Sequence, residues 1–315
     1  MLKKISALIA ALLLTSNAAK AQSAEFINIL TGGTAGVYYP LGSALTKIYG
    51  DNIKGSKVQV QVTKASVENL NLLQVAKGEL AFVLGDSAID GWNGKEDAGF
   101  KSKLDKLRIV GAIYPNYIQI VASKGSNIKT IADLKGKKVS VGAAASGTDL
   151  NTRAVLNAVG LSYKDLGKVE YLGFGESVEL MKNRQLDAVV QSAGLGVGAI
   201  RDLAASVEIV IIPIPADIVK KMGVPFLTGI IPADTYKNQT ANVETARIIN
   251  FLVTHKDVPE ATVYQMTKLF YENIEALKAA HSAAKDIDLK NAASNPPFIF
   301  HPGAAKYYKE KGLIK

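Results

Sequence analysis

Two turns rich in glycine and hydroxyl residues carry the side chains best suited to hold a ligand. Thr31-Gly32-Gly33-Thr34-Ala35-Gly36-Val37-Tyr38-Tyr39-Pro40 is the first and Ala145-Ser146-Gly147-Thr148-Asp149 the second; each lies between a β-branched run and a helix-period stretch. Glycine lets a backbone come close to a ligand, and the first N–H groups of a helix lack helical partners and favour an anion. The first turn fits neither GxGxxG nor GxxxxGK[ST], so a carboxylate matches it better than a dinucleotide or a nucleoside triphosphate. Ser146 and Thr148 can cap a helix or donate to a ligand oxygen, and Ser66 and Asn69, at the head of another helix, have the same two options. Arg153, one turn into its helix, can grip an acid group with both nitrogens or form a surface ion pair.

Catalysis finds little material. There is no GxSxG elbow, no HExxH and no Cys, which removes the defining parts of the usual serine, zinc and thiol routes. His255, His281 and His301 lack a short metal-ligand spacing and read as surface or capping residues. Glu96 and Asp97 sit in a polar, glycine-flanked loop that offers little burial to a general acid. Neither a metal nor a cofactor is expected.

The elements that must position these turns follow from hydrophobic period. Strands are predicted at Phe26 to Leu30, Val58 to Val62, Leu80 to Leu84, Val139 to Gly142, Val169 to Leu172, Asp187 to Gln191 and Glu208 to Ile212, with helix-period segments between them. Such alternation points to parallel sheets of βαβ units, arranged as two similar halves. From about Val243 the chain reads as helical, with Val263, Met266, Phe270, Ile274 and Leu277 recurring every three to four residues. Tyr117 to Ala122 and Phe226 to Ile231, flanked by Pro115 and Pro232, are expected to be paired crossovers. The first domain is then discontinuous, residues 22–116 plus 231–315, and the second comprises 117–230. Two crossings set the strand sets face to face across a cleft and permit hinge closure around a ligand.

Composition bounds the class. The chain has 315 residues, 48% hydrophobic and 21% charged, enough for about two packed domains and incompatible with disorder. Residues 1–21 read as a signal peptide: Lys3 and Lys4, the apolar stretch Ile5 to Leu14, and the small-x-small site Ala19-Lys20-Ala21, with cleavage expected after Ala21. Losing Lys3, Lys4 and Lys20 and no acid lowers the formal charge from +9 to +6. That excess is spread over lysines interleaved with apolar or acidic residues, so nucleic acid is not an expected partner, while anionic solutes are mildly attracted.

At this point the sequence resembles the TAXI family of extracytoplasmic solute receptors, the binding subunits of TRAP transporters. The likeness covers nearly all of the mature chain. It rests on TGGTAGVYYPLG (Thr31 to Gly42), TKASVENL (Thr63 to Leu70), IYP (Ile113 to Pro115), DLKGKKVSVG (Asp133 to Gly142), ASGT (Ala145 to Thr148), LDA (Leu186 to Ala188) and HPGA (His301 to Ala304). The resemblance implies a periplasmic binding protein fold of type II, two α/β domains joined by two crossover strands, acting as a monomer in the periplasm. It also implies delivery of a small organic anion to a TRAP membrane permease without chemistry on the solute. Glutamate, glutamine, related dicarboxylates and keto acids are among the ligands assigned in that family.

The contacts that the resemblance implies are Gly33, Thr34 and Tyr38 in the first turn, Ser66 and Asn69 in the next loop, and Ser146, Gly147 and Thr148 across the cleft. Tyr38 is expected to supply a phenol donor and an aromatic wall. Asp86 and Gly194 are counted with these contacts, although both lie where this chain departs from its relatives. Leu84-Gly85-Asp86 replaces a common Gln-Ser-Asp, Gly194-Leu195-Gly196 replaces a GYP string, and Gln119 stands where a His is usual. Losing a polar partner at a buried site favours a less polar or differently shaped acid. Two rival readings are a periplasmic enzyme using Asp86 and Tyr38 on an acid, and a surface antigen or sensor subunit.

Overall fold

The computed structural model describes residues 25–315, so the expected signal peptide lies outside the described residues. The first unit opens with β1 (Glu25–Leu30), α1 (Tyr38–Asn52), β2 (Ser56–Gln61), α2 (Ser66–Gln74), β3 (Leu80–Leu84) and α3 (Gly85–Asn93). A long strand, β4 (Leu107–Ser123), then leads to β5 (Lys138–Ser140), α4 (Gly147–Ala158), β6 (Lys168–Glu170), α5 (Phe174–Lys182) and β7 (Ala188–Ala193). After these come α6 (Gly198–Ser206), β8 (Ile209–Ile212), α7 (Ala216–Met222) and β9 (Leu227–Ile231). The chain returns along β10 (Val243–His255) and ends in α8 (Glu260–Glu272), α9 (Ile274–Ala280) and α10 (Pro302–Glu310).

The ten strands among the described residues form one sheet, in the order β2-β1-β3-β10-β4-β7-β5-β6, with β8 on β4 and β9 on β10. The βαβ parts are parallel as expected: β1 with β2 and β3, and β5 with β6 and β7. The two long strands are antiparallel to each other, from Arg247 opposite Tyr117 to His255 opposite Leu107, and they are the crossovers that join two α/β units.

One expected crossover and one expected helix are thereby corrected. Leu227–Ile231 does not carry the chain back; it pairs with the first half of β10, and Val243–His255 makes the return. The helical period of Val263 to Leu277 does not reach back over this stretch. A central strand buried on both faces has no reason to alternate, and in its second half the consecutive residues Asn250, Phe251, Leu252, Val253, Thr254 and His255 are all buried. The helical period does hold further on, where Val263, Met266 and Phe270 bury one face of α8 and Leu277 that of α9.

Helices cover both faces of the sheet, so alternate strand residues feed different cores. In β3, Leu80 and Phe82 pack with α1 and the C-terminal helices, whereas Ala81 and Val83 pack with Leu70, Leu73 and Phe100. In β7, Val189 joins the first of these cores, and Ala188 and Val190 pack with Val155 and Leu156 of α4. Strands buried on two sides form a stiff frame, and both glycine-bearing turns are hung from ends of parallel strands, where open α/β sheets bind their ligands.

Candidate functional site

A cavity of about 500 Å³ lies between the two units, lined by the turn Gly32 to Tyr38, the loop Val62 to Ser66, Ala143, Ala144 and the start of α4. That volume suits a small organic ligand. Contacts across the cleft hold it closed. Glu68 N donates to Ala145 O and Ala199 N to Ala35 O, each at 3.3 Å, and Arg153 Nη1 donates to Asp97 O at 3.0 Å.

The two turns reach the cavity by different routes. α1 starts without a side-chain cap and with no acid in its first turn, and Tyr38, Leu41, Leu45 and Ile48 anchor its inner face. Ser146 caps α4, its Oγ accepting from Asp149 N at 3.1 Å. Just ahead of α2 and α4, Ala65 (φ +72°) and Ala145 (φ +59°) hold left-handed conformations that are unusual for a residue with a Cβ. Strain of that kind persists only where surrounding structure enforces it, and here it aims both helix starts at one space.

Gly33, Thr34, Tyr38, Ser66, Ser146, Gly147 and Thr148 all line the cavity. Gly33 has open space where a Cβ would stand. A Cβ on Gly147 would come within 2.5 Å of Leu84 Cδ1 and 2.8 Å of Ser66 Oγ, so only glycine lets the two walls meet there. Ser66 Oγ accepts from Leu84 N at 3.1 Å and Thr148 Oγ1 from Ser192 N at 3.3 Å, which leaves each hydroxyl hydrogen free to point elsewhere.

Tyr38 provides the expected wall, its ring stacked on Phe82 at 5.2 Å, but not the expected donor: its hydroxyl donates to Asn250 Oδ1. Burial raises its pKa far above the usual phenol range.

Asn69, Asp86 and Gly194 do not line the cavity. Asn69 is a strut: its amide nitrogen donates to Thr31 O at 2.7 Å and Phe82 O at 2.9 Å, and its oxygen accepts from Thr63. Asp86 is buried at the head of α3, where Asn151 Nδ2 of α4 donates to it across the cleft. Burial raises its pKa to about 7, assisted by the charge of Asp90. Gly194 lies behind the cavity, since a Cβ there would meet Ala283 at 2.6 Å and the Tyr114 ring at 3.3 Å. Arg153 is held by its own Asp149 through Nε at 3.1 Å and Nη2 at 2.8 Å, so its fork is already occupied. His281 and His301 cap helices through Nδ1, accepting from Ala283 N and Gly303 N; His255 is buried rather than on the surface.

Sequence reasoning missed Tyr114, Asn116, Ser192, Tyr171 and Phe174, which also line the cavity. Tyr114 and Asn116 flank Pro115 in β4, and Ser192 sits near the C-terminal end of β7. The strand-end position of Ser192 was a usable signal. For Tyr114 and Asn116 there was none, because their place in the cavity lining follows from where β4 leaves the first unit.

With this geometry in place, a family profile matching residues 29–312 decides the kinship. The chain belongs to the NMT1-like family. Solved structures similar to this NMT1-like chain include PhnD1 from Prochlorococcus marinus MIT 9301, in complex with methylphosphonate (TM-score 0.59, 11% identity, 93% of this chain and 100% of that one). The alkanesulfonate-binding protein SsuA from Xanthomonas axonopodis pv. citri, bound to MOPS, matches with TM-score 0.52 and 16% identity over 94% and 96%. A putative L-cystine ABC transporter protein from Listeria monocytogenes matches with TM-score 0.50 and 13% identity over 85% and 98%. The NMT1-like chain thus has the type II periplasmic binding protein fold. No helix among the described residues is long and apolar enough to cross a membrane.

Proposed function

We propose that the protein is an exported receptor that closes around a small carboxylate and hands it unchanged to a membrane permease. The observation that carries this is the cavity itself, bounded by helix starts from both units and shut by contacts between them. Closure follows from population shift: a ligand that touches both walls only in the closed form stabilises that form by its differential contacts. Domain 1 is taken as residues 22–116 plus the C-terminal segment and domain 2 as the intervening chain, with the hinge at the crossing of β4 and β10. A catalytic role draws no support from the cavity, because the Tyr38 hydroxyl is committed to Asn250 and Asp86 lies outside the lining.

For the permease, the sequence resemblance favours a TRAP system, while the ABC system in the printed name of the Listeria neighbour is the second reading. Reconstituted uptake separates them by its driving force, an ion gradient or ATP. The receptor role is tested by small-angle scattering of the protein against a panel of carboxylates, with mass analysis of the recovered ligand. Compaction with at least one acid, recovered intact, is expected. No compaction with any acid, or recovery of a converted product, overturns the reading.

A further inference from the structure

Tyr114 Oη and Ser192 Oγ are both buried without a hydrogen-bond partner, and both residues line the cavity. Tyr114 is fully buried and Ser192 is 5% exposed. Asn116, which also lines the cavity, is satisfied. Asn116 Nδ2 donates to Ser192 O at 2.8 Å, and Asn116 Oδ1 accepts from Asn250 at 2.7 Å. Native folds seldom leave buried hydroxyls unpaired, so two such groups on residues that line one cavity call for an acceptor that arrives from outside. In this conformation solvent does not reach either oxygen, so meeting an acceptor in the cavity requires a small shift of each side chain towards it.

The charge around the cavity limits what the acceptor belongs to. Lys64 and Glu176 are the charged side chains in the lining, and both are exposed. Glu176 is engaged as an acceptor from Gly173 N at 3.1 Å. A second carboxylate deep in the cavity would find no buried cation, and an ammonium group would find no buried carboxylate, since Asp86 is outside the lining. Other walls are apolar or aromatic: Val62, Leu84, the Tyr38 ring and, on the opposite side, Tyr171 and Phe174.

We propose that Tyr114 and Ser192 hold the acid head of a monoanionic ligand with an apolar body, which lies against Tyr171 and Phe174. The inference rests on the receptor reading and narrows it, setting aside glutamate and dicarboxylates. Thr148, whose hydroxyl accepts from Ser192 N, adds a third donor beside the head.

Calorimetry with phenylpyruvate and 4-methyl-2-oxopentanoate, against succinate and glutamate, tests this on the wild type and on Tyr114→Phe and Ser192→Ala. An apolar monocarboxylate is expected to bind at least about 100-fold more tightly than either competitor, and each variant to lose about ten-fold or more, as for hydrogen bonds to a charged group. Because each variant removes an unpaired buried hydroxyl, the melting temperature without ligand is expected to hold or rise, which a merely structural role would not give. Tighter binding of succinate or glutamate, or unchanged affinity in both variants, overturns the inference and leaves the receptor reading standing. Failure of every acid to bind or to compact the protein overturns both.

Discussion

The two walls of the cleft are built on the same plan and finished differently. On the first wall the turn from Gly32 to Gly36 leads into an uncapped helix, and Gly33 faces open space. On the second wall Ser146 caps α4, Asp149 in its first turn is gripped by Arg153, and Gly147 presses against Leu84 and Ser66 of the first wall. One glycine therefore leaves room for a ligand, and the other leaves room for the opposing wall. Two motifs that look equivalent in sequence thus divide the work between binding and closing.

Substituting the two glycines is the strongest way to break that comparison. Gly147→Val places carbon where Leu84 and Ser66 already stand, so closure has to stop short, and ligand affinity is expected to fall by about 100-fold or more, a cost of about 3 kcal/mol. Gly33→Ala meets no protein atom within 4 Å, so closure is unhindered, and its single methyl in the ligand space is expected to cost less, about ten-fold at most. Titration calorimetry reads both, and circular dichroism checks that Gly147→Val remains folded. Equal losses in the two variants would mean that the walls are not specialised.

Asp86 and Asn151 sharpen the comparison by tying the head of α3 to α4 across the cleft. The Asp86 carboxyl is raised by burial to about 7 from 3.8, so the folded state binds a proton that the unfolded chain releases near pH 4. Its stabilisation is therefore fully present below about pH 4 and is lost as pH rises towards 7, by a few kcal/mol in all. Urea midpoints measured between pH 4 and 8 are expected to show this decline in the wild type and a flatter profile in Asp86→Asn. An identical slope in the variant assigns the decline to other groups.

Legibility in the sequence followed the same physics. The strands from Leu80 to Leu84 and from Ile209 to Ile212 were found almost to the residue because short apolar runs between turns have few other readings. Val243–His255 was missed because burial on both faces erases the period that marks a strand, and its partner β4 is far away in sequence. At the site, the residues on the turns were readable since glycine and hydroxyls at a strand-to-helix junction have a local cause. Asn69 was misassigned because its amide serves three backbone and side-chain neighbours brought together only by the sheet. Tyr114 and Ser192 escaped notice because an unpaired hydroxyl is a property of the surroundings and leaves no trace in composition.

The smallest expected effect belongs to Ser146, the cap that distinguishes the second wall. Ser146→Ala removes the oxygen that accepts from Asp149 N, at an expected cost of about 1 kcal/mol in folding stability. Restoring the cap with Ser146→Asp is expected to recover stability in urea unfolding, because aspartate caps as well as serine does. The same change places a negative charge on the cavity wall, so it is expected to weaken an anionic ligand even as it stabilises the helix. Stability and affinity that both recover in Ser146→Asp would show that the ligand's charge lies far from this wall, and the division of labour between the two turns would have to be redrawn.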